Sequence, residues 1–332
     1  MSLTEKTDLK PRQSSPKPES GVDVASLWDR YGILAVLILL VALMSVIAPN
    51  FLSVNNGLNV ARAVSINAIL AAGMTLVILT GGIDLSVGSV VALTGVSSVL
   101  LWTAGAPAIV AVLGGMIVGA ITGLINGSLV AYLGLPSFII TLGALTYIRG
   151  FSYSLTDAQP LIASDLGYRG LGNGAIAGIP TPVVIMLLVY VILWFVLERT
   201  SFGRHIYAIG GNREAARLAG IKVKWTLVRV YLIMGACAGL AGVIFSARVE
   251  SGQPKAGEGY ELDAIAAVVL GGTALAGGRG RIYGTLVGAL IIGVLSNGLV
   301  LMNVPFFYQL IVKGAVIVLA VGIDGLKNIK RN

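Results

Sequence analysis

Residues 199–225 read RTSFGRHIYAIGGNREAARLAGIKVKW, an island of charge in a chain that is otherwise nearly free of it. Apolar runs flank the island on both sides, so it sits in water between two membrane crossings. Within it, Asn212 has the side chain of an N-cap and Glu214 falls in the first turn, where the helix dipole favours a carboxylate. Gly220 supplies a left-handed residue after the last turn. These signals predict a short, well-stopped helix over Arg213–Ala219 that presents Glu214, Arg217 and Leu218 to something outside the membrane.

The composition makes the rest of the chain the apparatus that this loop addresses. Of 332 residues, 56% are hydrophobic and 11% are charged, where a soluble domain carries roughly 25% charged residues. The mean hydropathy is +0.90. This is an all-α, polytopic membrane protein. Its formal charge of +8 comes from Lys and Arg gathered in the two tails and in 199–229. That is the pattern of cytoplasmic loops that retain positive charge, and no nucleic-acid partner is expected. The one cysteine, Cys237, lies in an apolar run and reads as packing, so neither a disulfide framework nor a cysteine-based metal site is expected. The one histidine, His205, sits among basic residues and reads as solvated rather than as a ligand or base.

Residues 1–26 are rich in Ser, Pro, Lys and Glu without apolar periodicity and read as a disordered cytoplasmic tail. The remainder, 27–332, reads as one membrane domain with 199–225 as its cytoplasmic loop. Apolar segments fall at about 31–48, 58–80, 86–102, 106–132, 137–155, 182–197, 226–247, 262–275, 283–302 and 306–323. Ten spans place both termini and the basic loop on the same, inner side, so alternation agrees with the charge bias. Polar links at 156–181 and 248–260 then fall outside.

Two patterns bear on packing. Gly115, Gly119, Gly123 and Gly127 recur every four residues and give one helix a smooth ridge for close approach of a neighbour. Asn67–Gly82, NAILAAGMTLVILTGG, aligns without gaps to Asp263–Gly278, DAIAAVVLGGTALAGG, and Gly88 then matches Gly284. The echo reads as a duplicated half, and repeats in transporters hold substrate between the halves, beside interrupted helices.

Between Tyr31 and Leu155 the formally charged residues are Arg62, Asp84 and Arg149. A carboxylate at membrane depth costs about 2.5–3.5 kcal/mol on insertion scales and asks for a reason. Asp84 lies in Gly81-Gly82-Ile83-Asp84-Leu85-Ser86, where two glycines break one helix. Asp84 or Ser86 then caps the next helix, or Asp84 accepts hydrogen bonds from solute hydroxyls on a pathway. Glu261 and Asp263 suit the first turn of the echoed helix. Asn67, Thr75, Asn126, Thr141 and Asn297, polar residues on apolar spans, either line a passage for a neutral polyhydroxylated solute or link helices.

No G-x-x-x-x-G-K-[ST] sequence occurs, so the chain is not expected to bind ATP. Gly172–Ala177 fits G-x-G-x-x-A by letter, but no strand of a βαβ unit precedes it. No HExxH or paired-carboxylate constellation stands out, and no catalytic residue, cofactor or metal is assigned to this chain.

Glu214-Ala215-Ala216-Arg217-Leu218-Ala219-Gly220 resembles the EAA-x-x-x-G pattern of the coupling loop in permeases of ATP-binding-cassette importers. Val230 and Leu232 fit that pattern downstream, and Ile233 stands where a proline is usual. Asn67–Gly95, containing GMTLVILTGGIDLSVGSVVALTG, and Gly259–Gly293, GYELDAIAAVVLGGTALAGGRGRIYGTLVGALIIG, are similar to the ribose-type monosaccharide permeases. This resemblance covers nearly the whole chain after the tail. It implies an inner-membrane permease with about ten helices, resembling the cobalamin-type importer fold and working as a homodimer in lipid. It also implies a cytosolic ATPase, usually of two fused cassettes and itself the binder of ATP and magnesium, and a periplasmic sugar-binding protein as donor. Under it, Asn212, Glu214, Ala215, Ala216, Arg217 and Gly220 couple the permease to that ATPase. Its rival is an ion-coupled secondary transporter of a small neutral polar solute, for which Asp84 is the one firm titratable candidate.

Overall fold

The computed structural model of the protein describes residues 24–329. The predicted disordered tail, 1–26, lies outside the described residues as far as residue 23, and 24–26 already belong to the first helix. In chain order the elements begin α1 (Val24–Ile47), α2 (Val54–Leu79), α3 (Val87–Thr103), α4 (Ala108–Leu133) and α5 (Ser137–Ser154). After them come β1 (Leu161–Ile162), α6 (Gly170–Asn173), β2 (Ala175–Ile176), β3 (Ile179–Pro180) and α7 (Thr181–Arg199). The basic loop carries α8 (Ser201–Gly211) and α9 (Arg213–Leu218). The chain continues with α10 (Val223–Val249), β4 (Ser251–Gly252), α11 (Tyr260–Leu270), α12 (Ile282–Leu301) and α13 (Phe306–Ile329). Among the described residues, 33–329 form one compact unit, and 24–32, the start of α1, belong to another.

Among the described residues, five helices, α2, α4, α7, α10 and α12, are long and apolar enough to cross a membrane. α2 and α10 are buried along most of their length and form the centre of the bundle, while α4 and α7 turn apolar faces outward. An apolar outer face against a packed inner one is what a helix between lipid and protein requires.

The glycine ridge of α4 packs on α10, which answers with Gly235 and Gly239. A Cβ added at Gly119 would lie 2.7 Å from Gly239 Cα, and one at Gly123 would lie 2.9 Å from Gly235 Cα. Gly127 rests on the Tyr231 side chain, and Gly115 on Thr94 and Val243.

α2 ends on a left-handed Gly81 at φ +76°, with Gly81 N–H donating to Ile78 O and Gly82 N–H to Val77 O. α11 ends in the same way on Gly272 at φ +83°, with Gly272 N–H on Val269 O and Thr273 N–H on Val268 O. Both closures satisfy carbonyls that a helix C-terminus leaves free. The echo continues without gaps to Gly278, but α11 stops at Leu270, whose match is Met74, five residues before the end of α2, and the predicted 262–275 segment therefore runs too far. The two helices nevertheless lie side by side, parallel and in register. Asn67 Nδ2 is 3.5 Å from its match Asp263 Oδ2, and Gly81 packs against its match Gly277.

An 11-residue α11 reaches only about 17 Å, roughly half the hydrocarbon thickness. The stretch before it is irregular chain held by contacts to the rest of the protein. β4 pairs with β1, Leu161 opposite Gly252 and Ile162 opposite Ser251. Arg149 Nη1 donates to Pro254 O (2.8 Å) and Ala256 O (2.7 Å), and Gly257 packs on Gly88.

Candidate functional site

The basic loop folds into two helices rather than the one predicted. α8 starts at Thr200, whose Oγ1 accepts the Gly203 N–H at 3.2 Å. α9 starts at Asn212, which adopts extended backbone and accepts the Ala215 N–H on Oδ1 at 2.9 Å. It closes with Gly220 at φ +82°, Gly220 N–H donating to Arg217 O and Ile221 N–H to Ala216 O. A side chain at Gly220 would meet nothing within 4 Å, so the left-handed backbone, and not space, calls for glycine there.

α9 has a seated face and a free one. Ala216 is 4% exposed and packs with Ala131, Ile209, Val223, Leu227 and Val228. Leu218 is 75% exposed, and Ala215 points outward with it. Beside it, Arg217 Nε donates to Glu214 Oε2 at 3.1 Å and Arg217 Nη2 to Oε1 at 2.5 Å. This hydrogen-bonded pairing holds the Glu214 carboxyl below the usual carboxylate range and the Arg217 guanidinium above its ordinary value. In water such a pair adds little stability; its consequence is a fixed, apolar-centred tip that an outside partner can grip.

Behind the tip, α8 docks backbone to backbone. A Cβ at Gly210 would overlap the Leu79 carbonyl oxygen and the Gly278 amide. Gly278 N–H donates to Leu79 O at 3.0 Å, and the Tyr207 hydroxyl donates to Gly280 O at 3.0 Å. Burial pushes that hydroxyl up, so it stays a donor. One short helix thus touches the breaks after both α2 and α11. Only the Gly-Gly pairs 81–82, 210–211 and 277–278 hinted at this junction in the sequence.

The break after α2 leads to a buried polar chain. Asp84 Oδ1 accepts from Ser86 N–H (2.9 Å) and Ser86 Oγ (2.6 Å). Ser86 Oγ accepts from Asn126 Nδ2 at 2.9 Å, and the Tyr147 hydroxyl reaches Asn126 Oδ1 at 3.4 Å. The predicted cap is corrected in detail: Ser86 occupies the N-cap position of α3 without making a side-chain cap bond, and Asp84 binds the Ser86 amide instead. Ile83 is held by Ser137 Oγ on its N–H and by Thr141 Oγ1 on its carbonyl. A cavity of about 370 Å³ separates this break from α9 and is lined by Gly81, Gly82, Ile83, Ser137, Arg213 and Tyr231.

The structure thus unites Asp84, Ser86 and Asn126, with Thr141 on the same break, but sets Thr75, Asn297 and Asn67 apart. Thr75 is fully buried between α2 and α12, bonded to Ala71 O and Thr285 Oγ1 at 2.8 Å each. Asn297 exchanges amide bonds with Asn56 at 2.9 and 3.0 Å. Asn67 stands beside Asp263. Tyr147 was missed, since an aromatic on an apolar span carries no signal of its own.

A family model described as branched-chain amino acid transport system / permease component matches residues 56–321. The ribose import permease protein RbsC of Escherichia coli K12 is 49% identical over 91% of this chain and 95% of its own length. The chain belongs to the ribose-type permeases of ATP-binding-cassette importers. RbsC of Bacillus subtilis is likewise 49% identical, over 88% of this chain and 91% of its own. The D-allose transport system permease protein AlsC of E. coli is 41% identical over 96% and 98%. No solved structure matches. A permease of this family is a multi-pass membrane component of transport and not an enzyme, with ATP hydrolysis in a separate subunit.

Proposed function

We propose that this permease carries a monosaccharide, a ribose-like pentose or a hexose, across the inner membrane after delivery by a periplasmic binding protein. Ten spans with both termini cytosolic, in a fold resembling the cobalamin-type importers and containing a duplicated half, account for α1–α5, α7 and α10–α13. Two copies form the passage in lipid. A cytosolic ATPase of two fused cassettes, holding ATP and magnesium, drives it, and the links at 156–181 and 248–260 receive the binding protein.

The single observation that carries this reading is α9: a helix capped at both ends, with an exposed tip, seated through α8 on the breaks after α2 and α11. Closure of the ATPase pushes Glu214, Arg217 and Leu218. A rigid-body shift then reaches Gly81 and Gly277 and reorients the halves toward alternate sides. Asp84, Ser86 and Asn126 lie where that shift enters the membrane, and the solute passes along polar side chains of this kind.

The test is reconstitution. Vesicles holding the permease, its ATPase and its binding protein are expected to accumulate sugar only with nucleotide, and Gly220→Pro, incompatible with a positive φ, is expected to abolish uptake. Accumulation by the purified permease alone, or loss of uptake on collapsing the proton gradient at constant ATP, overturns the proposal in favour of an ion-coupled carrier.

A further inference from the structure

A second cavity, of about 330 Å³, with several polar side chains in a largely apolar lining, lies between α2, α11, α12 and α13, away from the α9 junction. Asn67, Asp263, Lys313, Arg248, Tyr260 and Asn297 line it. Asn67 stands at the middle of α2, whereas Arg248 lies in the last turn of α10, so the cavity runs from the bundle's centre toward the end remote from α9.

Its chemistry is mixed rather than of one sign. Lys313 Nζ meets Asp263 Oδ2 at 2.8 Å, with both side chains largely buried. Asn67 Nδ2 leans on the same oxygen at 3.5 Å, while Asn67 Oδ1 is buried with no hydrogen-bond partner among the described residues. An unmet buried acceptor is costly and signals an absent partner. Arg248 and the Tyr260 hydroxyl add donors. An anion would take Lys313 only by stripping Asp263 of its counterion, and a cation would do the reverse; a buried charge left unpaired that way is heavily penalised. A neutral molecule with several hydroxyls meets no such penalty, since each hydroxyl both donates and accepts. The volume is at the lower end of the roughly 300–1,000 Å³ of small-molecule sites, which suits one small solute. The cavity also sits on the seam between matched positions 67 and 263, beside the half-length α11, where discontinuous helices commonly hold a transported solute.

We infer that this cavity is a solute site for a neutral monosaccharide, in which Asn67 Oδ1 and the Asp263–Lys313 pair hold sugar hydroxyls. The inference rests on the importer reading and names the residues that the sugar touches on its way.

The experiment uses the complete importer in proteoliposomes, with D-ribose, D-allose and L-arabinose as probes. Ser296 also lines the cavity; Ser296→Leu fills it without touching the ion pair, and, separately, Asn67→Leu fills it while removing the 3.5 Å contact to Asp263 Oδ2. Loss of one such hydrogen bond is expected to cut uptake by about fivefold or more, while hydrolysis stimulated by the loaded binding protein continues. In a Ser296→Cys variant the introduced thiol is expected to react with a small polar maleimide, more slowly under saturating D-ribose; the native Cys237 is buried and silent. The thiol readout stands even where the leucine variants fail to fold. Unchanged uptake in both leucine variants, or labelling slowed by anionic lipid and not by sugar, overturns the site. A wild-type complex that takes up none of the three sugars overturns the importer reading beneath it, and that result needs no variant.

Discussion

Gly210 and Gly211 are adjacent glycines with opposite demands. Any side chain at 210 runs into the backbone of Leu79 and Gly278, while one at 211 meets nothing within 4 Å. Backbone neighbours cannot swing aside as a flexible side chain does, and overlap of this sort costs about 1–3 kcal/mol. Gly210→Ala is therefore expected to depopulate the docked α8 by about fivefold or more, and Gly211→Ala to leave it intact. The measurable result is uncoupling: the Gly210 variant's complex hydrolyses ATP, because the α9 tip is untouched, but moves less sugar per ATP. Equal transport by the two variants removes the junction from the mechanism. Asn212 is a milder case. Asn212→Ala deletes the bond to Ala215 N–H, a cap worth about 1 kcal/mol. Amide exchange within α9 is expected to rise about fivefold on that account, with the bundle's core amides unmoved.

At the scale of elements, what was legible in the sequence divides by how local its cause is. α9 was readable because Asn212, Glu214 and Gly220 act within one or two turns. α8 was not: Gly203, Gly210 and Gly211 read as loop, and only contact with Leu79 and Gly278 makes glycine a docking residue there. α11 was read too long because its stop at Gly272 competes with an apolar run that continues to Leu275. Asp84, Ser86 and Asn126 were legible as polar residues out of place, yet their union across α3 and α4 is tertiary. The same holds for Thr75, whose partner Thr285 is 210 residues away. The α4–α10 seam shows both sides of this division. Its ridge was plain from the four-residue spacing, but the answering Gly235 and Gly239 were visible only once the helices met. Gly123→Leu, which would collide with Tyr231 O and Gly235, is expected to lower the melting temperature of the detergent-solubilised protein markedly. Gly143→Ala on α5 meets nothing within 4 Å and is expected to be neutral or to stabilise by up to about 1 kcal/mol through helix propensity. A Gly123→Leu variant as stable as wild type refutes the close seam.

For the whole molecule, the proposed coupling requires the α9 tip and the second cavity to lie at opposite faces of the membrane. The α8–α9 end carries Arg199, Arg204, Arg213, Arg217, Lys222, Lys224 and Arg229, and several stand over aromatic rings, Lys224 over Tyr132 at 5.2 Å and Arg229 over Trp225 at 5.1 Å. Basic and aromatic residues together suit the anionic inner leaflet and its interface. The opposite end carries β1–β4 and the second cavity. A push delivered at α9 can serve a solute arriving near Lys313 only if these ends face opposite compartments. The lone native thiol is buried, so the protein is already fit for the measurement. In intact cells an impermeant maleimide is expected to label an Ile162→Cys variant, at a position 80% exposed on β1, and to spare Leu218→Cys; in inverted membrane vesicles the two reactivities are expected to exchange. Labelling of both variants from one side removes the geometry on which coupling depends, whatever the solute proves to be.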